Sequence, residues 1–270
     1  MQILRPVLII LFVFIFSRST LSLQSSHLLA ITFIVFLILF FVLKKSINNK
    51  EFMKSKYTET YNTKEWLFSV VPLVLFSGMD FLQKNTDILM IGALLGTEES
   101  GLYTVATRVT ELCAFGMLAV NSIAAPMISN LYSKKDNIQL QKIIRIATQI
   151  SFIVTLIISL FLIVLGKKVL FMFGIEFVTT YPVVLILLLG QLINAYSGPV
   201  SLILTMTGYY KPLTIILLIG LIINLLLNLL LLKFFGIEGA AIATAVSKVF
   251  NSLALIIYIK RKLDIKTSLF

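Results

Sequence analysis

The sequence predicts an all-α polytopic membrane protein of about eight transmembrane helices. Three observations predict it. Apolar stretches follow one another with little hydrophilic sequence between them. Apolar residues make up 59% of the 270 against 13% charged, with a mean hydropathy of +1.01. A soluble core has no use for that much apolar surface, whereas a bilayer crossed by helices of roughly 20 residues does. Third, the basic residues alternate in abundance from one inter-span segment to the next, as the positive-inside bias requires.

The first span, 6–23, is the weakest. Pro6 to Phe16 is an apolar run of only about 16 Å of helix against a hydrocarbon core of about 30 Å. Arg5 before it and Ser17-Arg18-Ser19 after it also resemble the flanks of a signal-peptide core. There is no small-x-small cleavage site, so it reads as a retained helix. The second span, 27–43, opens at the sole histidine, His27. The segment 44–65 carries six lysines against Glu51, Glu59 and Glu65 and reads as a cytoplasmic linker near anionic headgroups. It divides a two-helix N-terminal piece, 1–43, from a six-helix lobe, 66–270.

The third span, 66–94, is about 43 Å long as a helix, too long for an untilted crossing. Pro72 and Gly78 interrupt it, and a bend is expected near Gly78. The fourth, 101–127, follows the acidic turn at Thr97–Ser100, and the fifth, 143–165, is flanked by Lys142 and Lys167. The sixth, 180–206, is interrupted by Ser197-Gly198-Pro199, and broken backbone at membrane depth is tolerated only against protein or a water-lined cavity. The seventh and eighth are 211–233 and 238–258. The last opens on small residues from Gly236 to Ala245, which permit close helix packing. Alternation places sixteen of the 23 lysines and arginines on one side and four on the other, with Lys84, Arg108 and Lys248 inside spans. Both termini are therefore expected at the cytoplasmic face of the inner membrane.

Charged groups at membrane depth usually line a pathway or pair internally. Asp80, Gln83, Lys84 and Asp87 fall within an arc of about 100° on the third span, where Asp80–Lys84 and Lys84–Asp87 can pair. The other reading, outer-interface snorkelling, stays open. Arg108 and Glu111 lie at i,i+3 on the fourth span with Thr104. A guanidinium there suits bidentate capture of a phosphate, while neutralisation by Glu111 is the plainer alternative. Lys248 shares a face with Thr244 and Asn251 and is the second candidate anion contact. Gln191 and Asn194 share a face with Ser201 and Thr205, and Asn224 and Asn228 lie at i,i+4. Amides on such helices act as interhelical glue more often than as ligands. Asp80, Asp87 and Glu111 are the candidate ion-coupling carboxylates. Arg108, Lys248, Lys84, Gln191 and Asn194 are the candidate substrate contacts.

Cys113 alone forms no intramolecular disulfide, and no Cys/His cluster suggests zinc or haem. No phosphate-cradling loop and no nucleophile–base pair are present. An enzyme, a cofactor and a nucleic-acid partner are not expected, the net charge of +11 being spent on topology.

From Trp66 onward the chain resembles polysaccharide and O-antigen flippases of the multidrug/oligosaccharidyl-lipid/polysaccharide exporter superfamily. The resemblance rests on Val71-Pro72 with Asn85-Thr86-Asp87 to Gly92, on Ser100 to Arg108, on Phe173-Gly174 to Tyr181, on Thr207-Gly208 to Pro212, and on Phe235-Gly236 to Ala243. It implies two six-helix lobes about a central cavity, alternating access, and a lipid-diphosphate-linked oligosaccharide as substrate in O-antigen, lipopolysaccharide or capsule biosynthesis. Spans three to eight look like a complete C-terminal lobe, while only two spans stand where the family has six. That departure implies a chain incomplete by itself, needing a second copy or a separately encoded N-terminal half. A non-transporting remnant, a helical partner of another membrane protein, and a drug/cation antiporter are the alternatives.

Overall fold

A computed structural model describes residues 63–265, together with 41 and 267; within 63–84 it gives the side chains of 74, 78, 79, 81, 82 and 83 only. The expected spans 6–23 and 27–43 lie outside the described residues apart from Phe41, as does the linker up to residue 62. The chain divides into two compact units, 1–62 and 63–270. The second is described below.

Every regular element among the described residues is helical. Helix α1 is Thr63–Leu94, α2 Thr97–Thr110, α3 Leu112–Ser133 and α4 Asn137–Phe171. A 3₁₀ turn at Ile175–Thr180 leads into α5, Tyr181–Ser197; α6 is Val200–Met206 and α7 Tyr210–Leu263. Leu112–Ser133, Asn137–Phe171, Ile175–Ser197 and Tyr210–Leu263 are each long and apolar enough to cross a bilayer, and Asn85–Leu94 is a shorter apolar helix. Large apolar side chains such as Val164, Leu230 and Phe234 point outward, as lipid-facing positions do and as a soluble surface would not. The chain is an all-α, multi-pass membrane protein.

The boundaries differ from the expected spans in instructive ways. Helix α1 runs unbroken through Pro72 and Gly78, so the interruption expected there is absent. Proline is tolerated inside membrane helices when neighbouring groups satisfy the freed carbonyl. The fourth span is two helical pieces, α2 and α3, meeting at Glu111, whose own backbone stays in the right-handed helical region. Helix α4 extends past the apolar core at both ends, because its hydrogen-bond ladder continues into polar sequence. Asp136 caps it, its Oδ1 accepting from the Gln139 backbone N–H at 3.1 Å.

The seventh and eighth spans form one helical hairpin. Gly236 has φ 53° and ψ −139° inside α7, a conformation outside the helical region that a side chain disfavours. Beyond it the chain returns antiparallel. A Cβ on Gly239 would strike the Leu231 carbonyl, one on Gly220 would strike Asn251, and Asn224 reaches Thr244. The arms, 210–235 and 237–263, are each about 40 Å long. The break expected at Ser197-Gly198-Pro199 is present, with Gly198 at φ 77°. Here the C-terminal tail inserts: the Thr148 hydroxyl donates to the Thr267 carbonyl at 3.0 Å, and any Cβ on Gly198 would meet both residues.

Six antiparallel rods result among the described residues: α1, α2–α3, α4, α5–α6 and the two arms of α7. Helices α1 and α5 pack on α7, α4 on α3 and α5, and α2 on α1 and α5. Two apolar cores form. One gathers Ile91, Tyr103, Leu170, Val184, Leu188 and Leu232 near the Gly236 turn. The other gathers Ile128, Leu140, Ile144, Ile203, Leu213 and Ile259 at the opposite end. Between them lies a polar waist.

Candidate functional site

The waist follows from register. Asp87 lies nine positions before Gly96, Arg108 twelve after it, Asn224 twelve before Gly236, and Lys248 twelve after it. Gly96 and Gly236 both close turns beside the first core. At 1.5 Å per residue these four side chains sit about 13–18 Å from one end of the bundle, near the middle of a core of about 30 Å. Gln191, ten positions into α5, falls at the same level.

Asp87 is the organising group. It is only 4% exposed. Its Oδ1 accepts from Asn224 Nδ2 at 3.0 Å and from Asn228 Nδ2 at 2.8 Å. Its Oδ2 accepts from the Tyr103 hydroxyl at 3.0 Å and from the Thr244 hydroxyl. Four donors from α2 and both arms of α7 thus converge on one carboxylate of α1. The amide protons are fully used: Asn224 Nδ2 also reaches Thr244 Oγ1 at 3.3 Å, and Asn228 Nδ2 the Asn224 carbonyl at 3.0 Å. The side-chain oxygens of Asn224 and Asn228 are buried without a hydrogen-bond partner. These two unsatisfied acceptors belong to the same amides that donate to Asp87.

Among the described residues, every oxygen contact of Asp87 comes from another helix, and the expected pairing with Lys84 at i,i+3 falls on a side chain outside them. The side chains of Asp80 and Lys84 lie outside the described residues. Gln83 lines the cavity, and its Nε2 is buried without a partner.

A cavity of about 620 Å³ opens from the network. Asp87, Arg108, Glu111, Gln191, Asn194 and Lys248 all line it, with Tyr103, Asn224, Thr244, Ser247 and Asn251. Arg108 Nη1 donates to Glu111 Oε2 at 2.9 Å, so the plainer alternative, neutralisation by Glu111 at the α2–α3 junction, is what this structure shows. The pair is not sequestered: the side chains are 66% and 41% exposed, leaving most of the guanidinium available. The Lys248 stem crosses Gly190, its Cδ lying 3.7 Å from where a Cβ there would be. Asn194 Nδ2 points to Met117 Sδ at 3.9 Å, a weak contact that a better acceptor would displace. Phe81, Phe115 and Leu118 line the mouth and are exposed. No cluster of metal-ligating His, Cys, Asp or Glu occurs among the described residues.

Tyr103 is the member of the network that sequence reasoning missed. No motif on α2 marks it, and its one signal is chemical: a fully buried tyrosine hydroxyl requires an acceptor. Asn224 and Asn228 were legible as glue, but their common target was not.

The MatE family profile matches residues 72–230, which covers α2 to α6 and the Asp87 network as far as Asn228. The chain is also 30% identical over 185 residues to a Haloferax volcanii protein named "Probable low-salt glycan biosynthesis flippase Agl15". That alignment covers 67% of this chain and 38% of the relative, so the chain spans well under half of the curated relative it matches. The profile takes in more than half of the residues, and the chain belongs to the MatE family of the multidrug/oligosaccharidyl-lipid/polysaccharide exporter superfamily.

Proposed function

We propose that this chain is one bundle of a membrane transporter that moves a lipid-linked oligosaccharide across the bilayer, with the waist cavity as its half of the substrate path. The observation that carries this reading is the convergence of Arg108, Lys248, Gln191 and Asn194 on one mid-depth cavity. A guanidinium and an ammonium suit a diphosphate; amides suit sugar hydroxyls. A volume of about 620 Å³ is that of an ordinary ligand site. A drug/cation antiporter would be served better by a cavity dominated by carboxylates, and this one is mixed. The haloarchaeal relative's name points the same way. The chemistry is transport without covalent change, so the protein is not an enzyme.

In this reading a diphosphate displaces Glu111 from Arg108, exchanging one carboxylate for a group of higher charge. Asp87 supplies ion coupling: a cation entering among its oxygens and those of Asn224 and Asn228 disturbs contacts that tie α1 and α2 to the α7 hairpin. The membrane is the cytoplasmic one, with both termini inside.

The test uses farnesyl diphosphate and tetraphenylphosphonium as anionic and cationic probes with the purified full chain, and glycan export in cells. Arg108→Ala and Lys248→Ala should each weaken farnesyl diphosphate binding at least tenfold, and together abolish export at normal protein level. Arg108→Lys should fail partly, having lost the bidentate fork. Preferential tetraphenylphosphonium binding, or full export by the double variant, would refute the assignment.

A further inference from the structure

A second cavity lies away from the waist, at the end of the hairpin where α7 begins and finishes. It is a groove of about 420 Å³ lined by Ile216 of the first arm and by Ala254, Ile257, Tyr258, Arg261 and Lys262 of the second. Its chemistry is graded along the axis. Ala254, Ile257, Tyr258 and Arg261 follow at i, i+3, i+4 and i+7, one face of a helix. The apolar part leads over about 10 Å to the basic end. Tyr258 is held by an edge-on ring contact with Tyr209, centroids 6.3 Å apart.

Arg261 and Lys262 are exposed, and among the described residues neither forms an ion pair, although Asp264 is close in sequence. Lys260 and Lys211 add charge to the same end of the hairpin, and both are exposed. Ile257, at 51% exposure, opens the groove towards lipid. An apolar channel capped by two uncompensated cations at a helix end has the polarity of an amphiphile with its anion at the membrane boundary and its chain directed inward.

We propose that this groove binds an anionic glycerophospholipid, its phosphate on Arg261 and Lys262 and one acyl chain along Ile216, Ala254 and Ile257. The positive-inside bias puts this end at the cytoplasmic leaflet, where anionic lipids accumulate and attract basic segments next to the membrane. The site is separate from the transport cavity and is independent of what that cavity carries. By bridging the two arms near their open ends, the lipid clamps the hairpin that supplies Asn224, Asn228 and Thr244 to Asp87.

The experiment is native mass spectrometry of the delipidated full chain, titrated with phosphatidylglycerol or phosphatidylcholine of identical acyl chains. Phosphatidylglycerol should bind first and more tightly. Arg261→Gln/Lys262→Gln, at exposed positions that leave folding intact, should weaken it roughly thirtyfold, about fivefold for each basic group, to the level of phosphatidylcholine. Lys168→Gln/Lys233→Gln removes the same charge at the opposite end and should change nothing. Ile257→Asp should reject both lipids, and millimolar glycerol 3-phosphate should not compete. Unaltered binding in the Arg261/Lys262 variant, an equal loss in the control variant, or displacement by glycerol 3-phosphate would each overturn the proposal.

Discussion

Replacing Asp87 by leucine tests the network at the waist most directly. The side chain keeps its branching and its number of heavy atoms, and four donors lose their acceptor at once: Tyr103, Asn224, Asn228 and Thr244. In a water-soluble protein each hydrogen bond to a charged group would contribute about 1.5–3 kcal/mol. Bonds between membrane helices average about 0.6 kcal/mol, because the unfolded chain in the bilayer also finds partners. Doubling the membrane figure for a carboxylate acceptor gives about 1.2 kcal/mol each, or about 5 kcal/mol for four. Asp87→Asn should cost less, about 2 kcal/mol. Its oxygen still receives the two asparagine amides, and its NH₂ can donate to the Tyr103 and Thr244 hydroxyls, which rotate to accept. Reversible unfolding of the full chain in mixed micelles measures both. A double-mutant cycle with Asn228→Leu should return a coupling of about 1 kcal/mol. Asp87→Leu within about 1 kcal/mol of the parent, with additive behaviour in the cycle, would show that the convergence contributes nothing to stability.

Three further outcomes follow from the same contacts. Gly236→Val forces a β-branched residue into φ 53° and should destabilise the hairpin by about 1–3 kcal/mol in the same unfolding assay. Thr148→Val removes the donor to the Thr267 carbonyl, and backbone hydrogen exchange at residues 265–267 should quicken about fivefold, matching a bond worth about 1 kcal/mol. Cysteines placed at Asn49 and Glu99 of a Cys113→Ala chain should react with an impermeant maleimide from opposite faces, and reaction of both from outside would contradict the topology.

The helical class was legible because the bilayer reduces structure to lengths and periods. An apolar run fixes a crossing, and distance from a turn fixes depth. That is why Arg108, Lys248, Gln191, Asn194, Glu111 and Asp87, drawn from separate spans, could all be named as candidates and all line one cavity. What periodicity does not carry is azimuth between helices. The face of α1 that bears Asp87 could have met lipid, Lys84 or another helix, and only packing shows it meeting the α7 hairpin. The reversal between the seventh and eighth spans was legible, because the break at Gly236 (φ 53°) falls between the expected spans 211–233 and 238–258. Pro72 misled, since proline's cost in a soluble helix is relieved in a membrane one.

The two polar clusters of the waist differ in burial, and under the proposed function that difference suits them to different tasks. Asp87 is enclosed, saturated by donors from three helical segments, and adjoined by two orphan carbonyl oxygens. Such a site holds helices together and responds as a unit, because filling or emptying it changes contacts on α1, α2 and α7 simultaneously. The Arg108–Glu111 pair is exposed at the mouth and bound only within its own turn. Breaking it moves no helix. A lone guanidinium facing hydrocarbon at mid-depth would cost roughly 2.5–3.5 kcal/mol by insertion scales, and Glu111 lowers that cost while the cavity is empty. An arriving anion needs only to replace one carboxylate, so the exchange is cheap enough to be reversible, as a carrier that must release its cargo requires. Removing Glu111 should then impair release rather than capture. In Glu111→Gln the guanidinium loses its resting partner, so farnesyl diphosphate should bind more tightly while export slows. Tighter binding with faster export would show that Glu111 does not compete for Arg108 during transport.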